Sequence, residues 1–137
     1  MIYEDVVVVN EGSTCSLLAR VTDTVGTVLT QSDISSIEYQ IYPEDSTTAV
    51  VGATSLTVSS VIYDTLQTHA AWIKDTTGYN FRHEVSGAAL GDQPAITFDP
   101  DVTYIVEHKF VLADPPSTGT TIRTNPFRIS VHPLKSV

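Results

Sequence analysis

From Ile37 to Tyr42 the sequence alternates Ile37, Tyr39 and Ile41 with Glu38, Gln40 and Tyr42. A two-residue period of this kind suits a strand that turns one face to a core and the other to water, and it places no apolar stripe along a helix. The rest of the chain repeats the theme in short runs rich in β-branched residues, cut by Gly, Pro, Asn and Asp. Val, Ile, Thr, Ser and Tyr are plentiful while Leu, Met, Lys, Glu and Gln are thin, a balance that favours strands. At 137 residues the chain has the usual size of one domain. Such a domain buries roughly two-thirds of its unfolded surface without needing disulfides or metals.

Residues 6–9 form a β-branched run, and the turn chemistry of residues 10–13 leads into the alternating segment 14–21, so these two are expected to pair as antiparallel neighbours. Thr30, with Asp33 three residues on, has the pattern of a capping box and predicts one helical turn before the 37–42 strand, which Pro43, Glu44 and Asp45 end. Further strands are expected at 47–51, interrupted at Gly52 by a bulge or turn, and at 56–62. A hairpin loop at 75–78 would pair 72–74 with 79–85. Residues 86–93 are expected as loop, with a helical turn at 88–90. A long strand over 102–113, a turn at 114–119 and a last strand over 121–131 complete the reading, with Pro126 marking an edge or a break. About eight or nine short strands with no long helix close most naturally as an all-β, two-sheet antiparallel sandwich, here over residues 1–132, with 133–137 as a short C-terminal tail.

Phe98, Pro100, Val102 and Tyr104 stand at alternate positions. This spacing resembles the tyrosine corner of fibronectin-III and immunoglobulin-like domains, in which the phenol hydrogen-bonds back across the corner. The resemblance implies a sandwich of that class, with Tyr104 structural, its strand equivalent to strand F and 121–131 equivalent to strand G. The Cys-Trp-Cys signature of antibody domains is absent.

Motifs that would carry chemistry are missing. Cys15, the only cysteine, sits in the alternating series Cys15, Leu17, Ala19, Val21 and reads as a buried small hydrophobe, neither a disulfide partner nor a catalytic thiol. His69, His83, His108 and His132 have no short metal-binding spacing. His83 and His108 are able to face each other across a sheet, but satisfied or surface histidines are the expectation. Asp99 with Asp101, and Glu44 with Asp45, place carboxylates close together, yet neither pair continues as a calcium loop, so both read as solvated turn acids. There is no nucleophile elbow, P-loop or dinucleotide fingerprint, so no catalytic residue, metal or cofactor is expected and the chain does not read as an enzyme. Trp72 reads as a core or sheet-covering residue.

Sixteen acidic residues against seven basic give a net charge of -9, the wrong sign for gripping phosphate backbones, so direct nucleic-acid binding is not expected. No apolar run is long enough to span a bilayer, and residues 1–5 lack the basic start of a signal peptide, so a soluble protein without a membrane partner is expected. The charge is uneven. Every acidic residue lies at or before Asp114, while Arg123, Arg128 and Lys135 follow with no acid among them. These three are the candidate partner-binding residues.

Across residues 17–111, the stretches 30–39, 63–68 with Trp72, and 77–82 together resemble small proteins encoded among the structural genes of tailed bacteriophages, cyanophages included. That resemblance implies an immunoglobulin-like virion component made in the host cytoplasm. The function expected from it is a capsid decoration or cement protein, a homo-oligomer that binds the major capsid protein, or other virion proteins, on the outer head and stabilises the shell. A neck, tail or baseplate adaptor is the alternative within the virion. A carbohydrate-binding module is the alternative outside it, and would need Trp72, Tyr42 and Tyr79 on one exposed face.

Overall fold

The computed structural model describes residues 5–10, 14–23, 25–70, 72, 74–85, 99, 101–113, 121–123 and 126–132. Its strands are β1 (Asp5–Asn10), β2 (Cys15–Ala19), β3 (Ile34–Pro43), β4 (Val51–Leu56), β5 (Ile62–Gln67), β6 (Tyr79–Val85), β7 (Thr103–Leu112), β8 (Thr121–Arg123) and β9 (Phe127–His132). One larger sheet runs β1-β9-β7-β3-β4, with β8 also beside β7, and a smaller one runs β2-β6-β5. The two pack face to face as an all-β sandwich. In immunoglobulin-type sandwiches strands G, F and C neighbour one another in one sheet and B, E and D in the other. β9-β7-β3 and β2-β6-β5 follow the same order, so the likeness is one of strand order.

Alternation decides which side chains meet. On β7, Tyr104, Val106, His108, Phe110 and Leu112 point inward, and on β6, Phe81, His83 and Val85 come down to meet them. Phe81 and Phe110 cross the gap as a T-shaped pair with ring centroids 5.3 Å apart. Each fully buried phenylalanine contributes roughly 1.5–3 kcal/mol by leaving water, and the edge-to-face geometry about 1 kcal/mol more.

Three local features follow the sequence closely. Asp33 accepts the Thr30 N–H at 2.9 Å and ends a single 3-10 turn (Gln31–Asp33). The β3–β4 register slips between Tyr39 and Ile41, placing a bulge opposite them at Gly52 and Ala53. Gly78, at φ 106°, lies so close to β5 that a Cβ there would meet the Gln67 carbonyl oxygen at 2.3 Å, so only glycine lets β5 and β6 close at this end.

Other expectations need correction. β1 does not pair with β2; it runs parallel to β9, Asp5 opposite Phe127, and β2 belongs to the other sheet. Residues 56–62 are not one strand. The chain leaves the larger sheet at Leu56, makes a one-turn helix α1 (Val58–Val61) and enters the smaller sheet at Ile62, and the turn lets Leu56, Val61 and Ile62 all stay buried during the crossing. Trp72 and Lys74 lie in no strand, and β6 is flanked instead by β2 and β5, with Gln67 of β5 opposite Tyr79. The last strand is divided: β8 and β9 pair with different parts of β7, and Pro126, which lacks an N–H for the ladder, lies between them. The loop and helical turn expected within 86–93, the turn at 114–119 and the tail 133–137 lie outside the described residues.

Candidate functional site

Of the basic residues singled out by charge layout, the described two, Arg123 and Arg128, stand on different strands with different neighbours. Arg123 stands exposed on β8, opposite Lys109 on β7, at a shallow groove of about 150 Å³ on the outer face of the larger sheet. Glu38 and Glu107 line the same groove, and Glu38 lies 3.8 Å from the Lys109 ammonium, so its charge is mixed. Arg128, on β9, donates from Nε to Glu44 Oε2 at 2.6 Å and from a terminal nitrogen to Oε1 at 3.4 Å. Its guanidinium is thereby turned toward its own chain. Lys135 lies outside the described residues.

The acidic turns that the sequence presents separately converge in space. Glu44 and Asp45 face Asp99 and Asp101 across a groove of about 450 Å³, floored by Val102 and Tyr104. Asp101 takes the left-handed conformation, φ 64°, and its N–H reaches the Val131 carbonyl at 3.2 Å. Tyr104 is buried beneath, and its phenol oxygen accepts the Asp99 N–H at 3.0 Å. Among the described residues no three of His, Cys, Asp or Glu are placed to hold a metal ion, and Glu44 is engaged by Arg128.

Trp72 is half-buried beside buried Tyr79, with centroids 5.8 Å apart. Its Nε1–H donates to Asp75 Oδ1 at 2.9 Å, the Lys74 ammonium lies 5.5 Å from its ring, and Tyr42 is on the other sheet, bonded through its phenol to Glu107. The three aromatics a sugar platform would need therefore share no exposed face. Asp75 was missed as an organiser. Besides the indole it accepts the N–H groups of Thr77 and Gly78 and pairs with Arg20 at 2.8 Å; the bond from Trp72 foremost, then those from Gly78 and Arg20, hold its carboxyl down at about 2. The Asp-x-x-Gly spacing was the available signal, read only as a hairpin turn.

Cys15 is sealed in the core, and burial pushes its thiol up to about 12. Asn80, fully buried, was also missed. Its Oδ1 accepts the Val21 N–H at 2.6 Å, and its Nδ2 donates to the carbonyls of Val21 at 3.0 Å and Leu29 at 2.8 Å. It ties the crossing from β2 toward β3 onto β6, and nothing in the pattern distinguishes it from an outward polar residue.

The most unusual arrangement lies at the centre. His83 Nδ1 and His108 Nε2 are 2.8 Å apart, joining the two sheets, and the rings are 0% and 1% exposed. Neither is a surface histidine, and His108 Nδ1 has no hydrogen-bond partner. A buried lone pair without a donor costs less than a buried N–H without an acceptor. The favoured tautomer therefore has His108 Nε2–H donating to His83 Nδ1 and leaves His108 Nδ1 unprotonated. Burial, and next the neighbouring His83, hold the His108 basicity well below that of an ordinary histidine.

The chain matches no family model, no curated protein and no solved structure. Its groups must be weighed on their own geometry. The core pair and the thiol are buried, while the outward features among the described residues include a mixed-charge face, an acidic groove and the β4 edge of the larger sheet.

Proposed function

We propose that the domain is a virion structural protein of a tailed bacteriophage, a capsid decoration or cement protein that binds the outer head surface through its sheet edge and outer face. The observation that carries this reading is the β4 edge. Between Asp45 and Asp64 the sequence has no charged residue and no proline, in a chain of net charge -9, and β4 closes the larger sheet with one flank unpaired among the described residues. Val50 beside it is 52% exposed. Edge strands are ordinarily guarded by charges, proline or bulges. Among the described residues only the bulge at Gly52 and Ala53 stands guard here, which leaves Thr54 to Leu56 as the regular stretch for an added strand. A partner that binds only in the assembled shell would stabilise that shell by linkage.

The resemblance of residues 30–39, 63–68 and 77–82 to phage structural proteins supplies the virion context. Exposed Arg123, next to Lys109, is the basic contact this reading retains, because Arg128 is paired with Glu44. The test is co-sedimentation with expanded empty heads of the encoding phage. Saturable binding by the native chain, weakened tenfold or more by Ser55→Lys, is the expected result; Ser55 is exposed and opposite Glu38, so the new charge is accommodated while the edge becomes guarded. Failure of the native chain to bind heads retires the decoration reading. Unchanged binding by Ser55→Lys retires the edge as its contact.

A further inference from the structure

We propose, resting on β4 as the contact edge, that the strand it receives is a basic one: an extended segment of the partner, lysine or arginine alternating with apolar residues, that pairs along Thr54 to Leu56 and runs on into the acidic groove beside Val50. The edge sets the backbone of such a ligand. β4 pairs with β3 on one flank, and no residue from Val50 to Leu56 bonds to anything outside the described residues. An extended chain would fill the other flank with main-chain hydrogen bonds whatever its side chains, so selectivity falls to its alternate positions. Toward the core, β4 presents Val51 and Leu56, both buried in the hydrophobic cluster, which suits apolar residues on that side of the added strand. Toward the outer face it presents Ser55, exposed and opposite Glu38 of β3. Neighbouring strands lie about 4.8 Å apart, which puts Glu38 about 10 Å from the added strand, within reach of a lysine or arginine laid across the short serine. On its other side Glu38 has only the Lys109 ammonium at 3.8 Å, a loose pair.

Val50 joins the edge to the groove. It directly precedes β4, and its N–H still reaches the Ile41 carbonyl of β3 at 2.8 Å, so the ladder continues to the groove's rim. Its side chain lines the groove with Glu44, Asp45, Asp99 and Asp101. The chain itself shows which chemistry this rim accepts: the Arg128 guanidinium is seated on Glu44, Nε to Oε2 at 2.6 Å. Asp45, Asp99 and Asp101 are exposed and form no ion pair. Pro43, Val50 and Val102 give the methylene stem of a lysine or arginine apolar walls to lie against. The net charge of -9 draws a basic segment from a distance and repels an acidic one.

Fluorescence anisotropy on the native chain tests this with a labelled peptide of alternating lysine and valine and its glutamate–valine counterpart. The lysine–valine peptide is expected to bind saturably, at least tenfold more tightly than the other, more weakly as salt is added, and to slow amide exchange in β4 as followed by NMR. Asp45→Asn, Asp99→Asn and Asp101→Asn together are expected to weaken it tenfold or more with the circular dichroism unchanged. None of the three side chains holds another group, and asparagine tolerates the left-handed backbone of Asp101. No saturable binding of the lysine–valine peptide, equal binding of the two peptides, indifference to salt, unchanged exchange in β4, or unchanged binding by the folded triple variant overturns the basic strand; the first four are read on the native chain and decide the matter if the variant does not fold. Expanded empty heads separate this proposal from the decoration reading. Head binding weakened by Ser55→Lys but not by the triple variant keeps decoration and overturns the basic strand. Heads left unbound, with the peptide results as expected, retire decoration and support the basic strand.

Discussion

Replacing Asn80 by alanine tests how the crossing from β2 toward β3 is held on the smaller sheet. The side chain supplies three hydrogen bonds, but their loss is not equal. The Val21 carbonyl keeps a second donor, the Leu29 N–H at 3.1 Å, whereas the Val21 N–H and the Leu29 carbonyl lose the side-chain partners that Asn80 gives them. Two buried backbone groups left unmatched, at about 1–3 kcal/mol each, give an expected destabilisation of about 2–6 kcal/mol. A chain of this size has roughly 7–20 kcal/mol to lose, so the variant should fold and unfold at markedly lower urea. Asn80→Asp is the sharper probe. Its carboxyl still accepts from Val21 N–H but donates to the two carbonyls only when protonated, so burial raises its folded pKa above the unfolded value near 4. The donor contribution is then present at low pH and lost as pH rises through the folded value. Measured against the native chain at each pH, Asn80→Asp should be worse than Asn80→Ala at pH 7 and recover toward pH 5. Equilibrium urea curves followed by circular dichroism report both. An alanine variant within about 0.5 kcal/mol of native, or a pH-independent aspartate deficit, would refute the assignment of Asn80 as the clamp.

Three other perturbations follow from the same contacts. Tyr104→Phe removes the acceptor of the Asp99 N–H and should cost about 1 kcal/mol in urea unfolding with the fold unchanged; no loss would mean that the loop finds water equally well. The Cys15 thiol, raised to about 12, should resist alkylation at pH 8 in native protein and react once urea unfolds it, as mass spectrometry would show; rapid native labelling would contradict its burial. Asp75→Asn removes the charge that Arg20 pairs with and weakens the acceptor of the Trp72 indole, so the emission of the single tryptophan should shift at pH 7. In the native chain the Asp75 contribution is present above the ordinary carboxylate value of 3.8 and lost as pH falls through about 2, so acid titration of the variant should be shallower there.

What was legible in the sequence is what depends on near neighbours. The alternation at Ile37, Tyr39 and Ile41 needs only the pleat of one strand, the Thr30 and Asp33 pairing spans three residues, and the bulge at Gly52 follows from a missing side chain. What was not legible depends on partners far along the chain. Nothing in residues 6–9 distinguishes a β2 neighbour from a β9 neighbour, and nothing in residues 56–62 says that the chain must change sheets there. The histidines show the limit clearly. Alternation allowed the two to face each other but left satisfied or surface positions as the expectation; their burial and 2.8 Å meeting are set by how two sheets stack, which no local pattern encodes. Asn80 likewise occupies an outward polar position, and only the path of residues 21–29 over it makes it a clamp.

The parallel pairing of β1 with β9 bears on the order in which the protein is made. A ribosome delivers β1 more than a hundred residues before its partner, at rates that leave on the order of ten seconds between them. Through that interval the remaining described strands other than β8 and β9 are free to find their neighbours, while β1 waits with an unmatched edge. β9 both extends the larger sheet beyond β7 and gives β1 its place. A nascent chain arrested before Phe127 should therefore hold β1 as an accessible segment, and completion of β9 is the event that retires it.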